Sequence, residues 1–273
     1  MTAPTARAAS AAAAGLRTAE HAGVVVATLD RPPANALNRP LLRALAALFR
    51  DHAASDPPPV VMTGAGERFF CAGGDLKELD GAAAAELDGR MREFHDLLVA
   101  MERYPAPVIA AVNGDCVGGG MECALFADAV LAVPHARFGF PEIRHGLLPA
   151  EKGIHRLIRL VGTRPARDLL LGGELVGAGH AARSGLVDTI VEPGRLRAQA
   201  LDRAREAGRR APVLYAALKH AVNDYDDLTD RRDAETTLVK AASYFDDPVA
   251  RSLRDGWWQG RAGTPGRLHE SER

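Results

Sequence analysis

The sequence predicts an α/β fold followed by a helical C-terminal region, and two observations carry that prediction. Short β-branched runs alternate with segments of helical periodicity as far as Val133, the pattern of parallel strands joined by helical crossovers. After Gly162 the alternation stops and helical patterns dominate. A chain of 273 residues is long enough for one sheet-based core with a helical appendage.

The elements follow in order. Val24–Leu29, VVVATL, is β-branched and apolar and reads as a strand. RPPANALN follows as a loop in which Asn38 can cap a helix over Pro40–Ala54, with Pro40 in the first turn. Pro59–Thr63 is a second buried strand ending at Gly64 and Gly66, and Gly64–Asp80 is a loop. Ala82–Tyr104 places Leu87, Met91, Phe94, Leu97, Leu98 and Met101 at helical spacing, and Pro105 and Pro107 stop it. Val108–Val112 is the third strand, Gly114–Gly120 turns it into a helix over Met121–Ala127, and Ala129–Val133 is the fourth. Later, only Leu186–Val191 reads clearly as strand, while Tyr215–Tyr225, Ala234–Phe245 and Pro248–Trp258 read as helices. The expected division is a disordered leader tail over residues 1–18, a sheet-based core of ββα or βαβ units over 19–200 and a helical region over 201–273 that covers the core or joins subunits. The tail is rich in Ala, Ser and Thr and lacks acids, but it has no amphipathic pattern of the kind that marks a transit peptide.

Lys and Arg number 34 against 35 Asp and Glu, so no broad basic field argues for a nucleic-acid partner. A local basic cluster can still hold a phosphate. No apolar run reaches the roughly 18–20 residues of a membrane span. Cys71, Cys116 and Cys123 form no CxxC pair and no metal spacing with histidine, which leaves small thiols in a reducing compartment, so a cytoplasmic location is expected.

Two segments carry most of the chemistry: Phe69–Lys77, FFCAGGDLK, and Ile109–Glu122, IAAVNGDCVGGGME. Gly118, Gly119 and Gly120 precede a helix whose first amides lack intrahelical partners, and glycine lets a ligand oxygen reach them. Glu122 falls in that helix's first turn, where a carboxylate also serves as a favourable helix-start charge. Gly74 can offer its N–H from the opposite side, with Asp75 and Lys77 bracing the loop or meeting a polar ligand. Glu142 stands in FGFPEI after Pro141, either as a second acid of the site or as a solvated turn residue. Backbone donors beside two carboxylates suit a reaction that builds negative charge on a carbonyl oxygen while protons move nearby.

RPPANALN, FFCAGGDLKEL, IAAVNGDCVGGGMECALFAD and FGFPEIRHGLLP occur in the order and spacing of the enoyl-CoA hydratase/isomerase, or crotonase, superfamily, which the chain resembles over residues 20–260. The resemblance implies a crotonase-like spiral of ββα units with a C-terminal helical trimerisation region, assembled as a homotrimer or a dimer of trimers. It puts the oxyanion-hole amides on Gly74 and Gly119 and the hydratase carboxylates on Glu122 and Glu142. It puts the CoA-adenine contacts on Ala34 and Ala36 and on Gly74, Asp75, Leu76 and Lys77. The implied activity is reversible hydration of a 2-enoyl thioester of CoA or an acyl carrier, with Glu122 as the base on water and Glu142 as the acid toward the α-carbon. Neither a metal nor a redox cofactor is expected, since the thioester substrate is itself the electron sink. Enoyl-CoA isomerase is the alternative, followed by a thioester hydrolase or C–C lyase; outside the enzymes, a catalytically silent acyl-CoA-binding oligomer remains. Two departures stand out. Pro149–Leu157 reads PAEKGIHRL where typical hydratases read PGAGGTQRL, and Phe140 stands where many carry glutamine.

Overall fold

Strands β1 (Leu16–His21) and β2 (Val24–Leu29) form an antiparallel hairpin, turned by Ala22 and Gly23 at φ 50° and 78°. The computed structural model describes residues 9–53, 56–78, 82–223, 251–252, 255–256 and 259. From residue 9 onward the structure corrects the leader tail expected over residues 1–18; residues 1–8 lie outside the described residues. Residues 9–13 are helical, and Leu16 is 1% exposed, although the rest of β1 is mostly exposed.

From β2 onward a unit repeats. A strand enters a large sheet, a short strand enters a small one, and a helix returns. The first unit is β3 (Val60–Gly64), β4 (Phe69–Cys71) and the helix Ala84–Glu102; the second is β5 (Val108–Val112), β6 (Asp115–Val117) and the helix Gly119–Leu125. β7 (Ala129–Ala132) and β8 (Arg137–Gly139) begin the third. With β9 (Val176–Gly177) and β10 (Thr189–Ile190), the large sheet runs β1-β2-β3-β5-β7-β10 and the small one β4-β6-β8-β9. Pairing is parallel throughout except at β1–β2 and β8–β9. This is the ββα arrangement that was expected. β4 and β6 correct the loops expected at Gly64–Asp80 and Gly114–Gly120: strands of three residues show no alternation to read. Of Leu186–Val191, only Thr189 and Ile190 pair as strand.

Helix α1 (Arg39–His52) starts where Asn38 Oδ1 accepts the Leu41 N–H at 3.0 Å, and it buries Leu41, Leu42, Leu45 and Phe49. Helix α2 (Ala84–Glu102) packs against α1, and its Leu97, Leu98 and Met101 are fully buried. The β5 sequence VIAAV is buried at every position because a central parallel strand is covered on both faces. Part of that cover is the helix Pro193–Gly208, whose Leu196, Ala200, Leu201 and Ala204 pack against the sheet, so the core continues past the boundary expected at residue 200. All three cysteines are buried, and burial raises the Cys71 thiol to about 12, which keeps it protonated.

The helix expected at Tyr215–Tyr225 spans Pro212–Asn223 and turns Lys219 and Asn223 inward. Val213, Leu214, Leu218 and Val222 stand 65–81% exposed on its other face. Ala234–Phe245 lies outside the described residues, as does most of Pro248–Trp258. Among the described residues no helix is long and apolar enough to cross a membrane.

Candidate active site

The two glycine loops meet where the ββα units place the ends of β4 and β6 side by side. Leu37 forms a parallel bridge to Gly74: its N–H donates to Gly73 O and its carbonyl accepts from Asp75 N, each at 2.8 Å. In such a bridge the residue between the two bonded groups turns its own amide to the other side. Gly74 N–H therefore points away from Leu37, and Gly119 lies there: a Cβ added to Gly119 would sit 3.7 Å from Gly74 N. Gly119 is the first residue of helix α3 (Gly119–Leu125), so its own N–H has no partner within the helix. The pair of amides needs both turns. Gly118 makes its turn at φ 53°, and Gly73 at φ 93°.

Both glutamates close on this corner. Glu122 N donates to Gly118 O at 2.9 Å, which places its carboxyl one turn into α3, 2% exposed. Glu142 lies in the 3-10 turn Pro141–His145, and a Cβ on Gly118 would come 2.3 Å from its Oε1. Helix α4 (Glu151–Val161) supplies the far wall. The Ala150 backbone bonds the Glu122 carboxyl, and a Cβ on Gly153 would fall 2.1 Å from Glu122 Oε1. The glycine at 153 is what makes room for the acid. Glu122 Oε1 and Glu142 Oε2 are buried with no hydrogen-bond partner among the described residues.

Burial sets the protonation of the pair. It raises Glu122 well above the ordinary carboxylate range, and repulsion from Glu142 adds to this; the Ala150 bond and the Arg90 charge oppose it. Burial also raises Glu142, to about 7. Near neutral pH the pair therefore holds a proton, and its titration belongs to both groups.

This burial has a stability consequence. Between its ordinary value of 4.5 and about 7, the folded protein binds a proton at Glu142 that the unfolded chain has released. The contribution is complete below 4.5 and is lost as pH rises through about 7. Glu142→Gln removes it. Relative to the variant, the wild type is expected to lose about 3 kcal/mol of stability between pH 4.5 and pH 8. Urea unfolding at both pH values measures this, and a constant difference between the proteins would contradict the burial of the carboxyl.

The expected CoA-adenine segments are also neighbours. Ala72 N donates to Ala34 O at 3.0 Å, and Arg31 reaches both Ala36 O and the Asp75 carboxylate. Asp75, 7% exposed, braces the loop, and its Oδ1 accepts from Lys77 N at 3.0 Å. Leu76 is half-buried and Lys77 exposed at the rim. The structure adds groups that carried no sequence signal. Arg90, on α2, donates from Nη2 to Leu37 O at 3.0 Å and lies where a Gly74 side chain would go, 2.5 Å from an added Cβ. Leu37 and Phe94 approach Gly119 as apolar walls, with added-Cβ distances of 3.3 and 3.4 Å. Phe140, fully buried, packs as core directly before the Glu142 turn.

Residues 19–250 match the family described as enoyl-CoA hydratase/isomerase. The chain belongs to that family. It is 38% identical over 203 residues to a probable enoyl-CoA hydratase of Rhizobium meliloti, covering 74% of this chain and 78% of that one. It is 36% identical over 207 residues to the 2,3-dehydroadipyl-CoA hydratase of Escherichia coli, covering 75% and 80%. The crystal structure of an enoyl-CoA hydratase from Bacillus anthracis superposes with a TM-score of 0.74 at 28% identity, covering 91% of this chain and 96% of that one. Membership in the enoyl-CoA hydratase/isomerase family accounts for the two-sheet ββα architecture, and with it the meeting of the glycine loops.

Proposed function

We propose that the protein reversibly hydrates a 2-enoyl thioester of coenzyme A at Glu122 and Glu142, beneath the amides of Gly74 and Gly119. One observation carries this reading: each acid presents a buried oxygen without a partner among the described residues, Glu122 Oε1 and Glu142 Oε2, beside those two amides. A buried acceptor left unpaired is costly, and a water held between the acids satisfies both. Relatives named as enoyl-CoA and 2,3-dehydroadipyl-CoA hydratases support the same chemistry.

The thioester carbonyl accepts from Gly74 and Gly119, which withdraws density from the β-carbon. Water oxygen adds there, the double-bond electrons move to the thioester as an enolate, and the oxyanion is held by the same amides. Glu122 takes a proton from the water and Glu142 delivers one to the α-carbon. In this division of labour the proton that the pair shares stands on Glu142 when the water adds, and the two acids titrate together. Ala34, Ala36 and the Gly74–Lys77 loop line the adenine end. The test is mass-spectrometric screening against enoyl, 3-hydroxyacyl and β-keto thioesters. Gain or loss of one water supports the proposal. Double-bond migration alone would replace it with isomerase, release of free CoA with a hydrolase, and no turnover with a silent acyl-CoA binder.

The C-terminal region is proposed to join subunits into a homotrimer or a dimer of trimers. Val213, Leu214, Leu218 and Val222 present a continuous apolar face, and burying each side chain is worth about 1.5–3 kcal/mol. Light scattering is expected to give a multiple of three of the 29.0 kDa chain. A stable mass of a single chain at micromolar concentration contradicts it.

A further inference from the structure

The first turn of α4 contacts Glu122 on one side and is anchored by charge on the other. Lys152 replaces a glycine of the usual hydratase loop and lies between the two residues that form the wall of Glu122, Ala150 and Gly153. Its side chain runs away from the acid and into the interior. There Nζ meets Glu102 Oε2 at 2.7 Å, with the two side chains 8% and 6% exposed. The ammonium also lies 5.6 Å from the centre of the Phe126 ring, and the Arg156 guanidinium lies 5.5 Å from that centre. Glu102 is the last residue of α2, and its carbonyl accepts from Asn223 Nδ2 at 3.2 Å. Asn223 Oδ1 in turn accepts from Arg156 at 2.9 Å. One buried polar cluster thus ties α4, the end of α2 and the helix Pro212–Asn223 together behind the catalytic corner.

An apolar side chain at 152 would fill the same space without fixing the turn. A buried ion pair is directional and stabilises only in good geometry; it is weak evidence for stability but can specify a single arrangement. Here the arrangement specified is the distance of the α4 backbone from Glu122. Among the described residues, the charged groups that act on Glu122 itself are Glu142, from the 3-10 turn, and Arg90, from α2.

We propose that Lys152 is a positioning residue for Glu122, holding the first turn of α4 against its carboxyl through the buried pair with Glu102. The inference rests on the two-glutamate reading for its effect on turnover, but not for its effect on the acid. If the turn is released, water enters beside Glu122 and its desolvation falls.

The variant Lys152→Met/Glu102→Gln tests this without leaving an uncompensated buried charge. The titration of isotopically labelled glutamate carboxyls, followed by NMR, is expected to move down toward the ordinary carboxylate range. With the enoyl thioester identified by screening, kcat is expected to fall about tenfold with KM little changed, the signature of a misplaced group rather than lost binding. If that variant does not fold, Lys152→Met/Glu102→Leu, which replaces the pair by apolar groups, is read in the same way and is expected to shift in the same direction. An unshifted carboxyl titration in either folded variant overturns the proposal. A shifted titration in a protein that hydrates no enoyl thioester would leave the role of Lys152 standing and remove the hydratase reading.

Discussion

Glu122→Gln and Glu142→Gln are each expected to lower hydration by about 10²–10⁴-fold while leaving the protein folded, the range that one positioned acid or base contributes. Both carboxyls are buried, and glutamine keeps the volume and an acceptor oxygen at each site. The double variant should be little worse than the poorer single variant, because two groups acting on one water lose their effect together. Steady-state kinetics on the substrate found by screening, with circular dichroism as the control for folding, decides it. If Glu122→Gln keeps near-wild-type hydration while Glu142→Gln is inactive, the pair does not share one water, and hydration by Glu142 alone replaces the two-acid mechanism.

Gly119→Pro and Gly74→Pro each delete one amide of the proposed oxyanion hole, and each is expected to cost about 10²–10³ in kcat. Proline at 119 falls on the first position of α3, where a helix tolerates it best, so loss of the donor should dominate over loss of the helix. Its ring still has to fit against Leu37 and Phe94, which approach to 3.3 and 3.4 Å of an added Cβ. At 74 the added atoms meet the end of the Arg90 side chain, which can swing aside. Gly74→Ala is the steric control: it adds a Cβ and keeps the N–H. Wild-type kcat in a folded proline variant would remove that amide from the mechanism.

Much of this site was legible because its parts are local. The glycine runs 73–74 and 118–120 mark backbone that bends sharply at close approach, and Glu122 follows one of them by less than a helical turn. Asn38 and Pro40 announced α1, and the β-branched runs announced β2, β3, β5 and β7 of the large sheet. The small sheet was not legible. Its strands have two or three residues each, and what makes them strands is pairing across about 45 residues of chain, Phe69 with Asp115 and Cys71 with Cys116. Strand β1 was missed for a related reason. β1 reads LRTAEH, a mostly polar segment, and becomes a strand only because β2 offers it an edge.

Local chemistry in the chain thus pointed to the α/β class, the glycine turns and both candidate acids. Folding supplied the relations among distant segments. Gly74 faces Gly119 because a bridge to Leu37 turns its amide outward, and Gly153 admits a carboxyl 31 residues earlier in the chain. Burial raises Glu142 to about 7, a shift that no motif encodes because it depends on which walls exclude water. Arg90 and Lys152 show the same limit, one among 34 basic residues each until the fold sets them beside Gly74 and behind Glu122. Backbone conformation and residue chemistry act over a few residues, whereas desolvation and charge pairing depend on separations in space, and only the packed chain defines those.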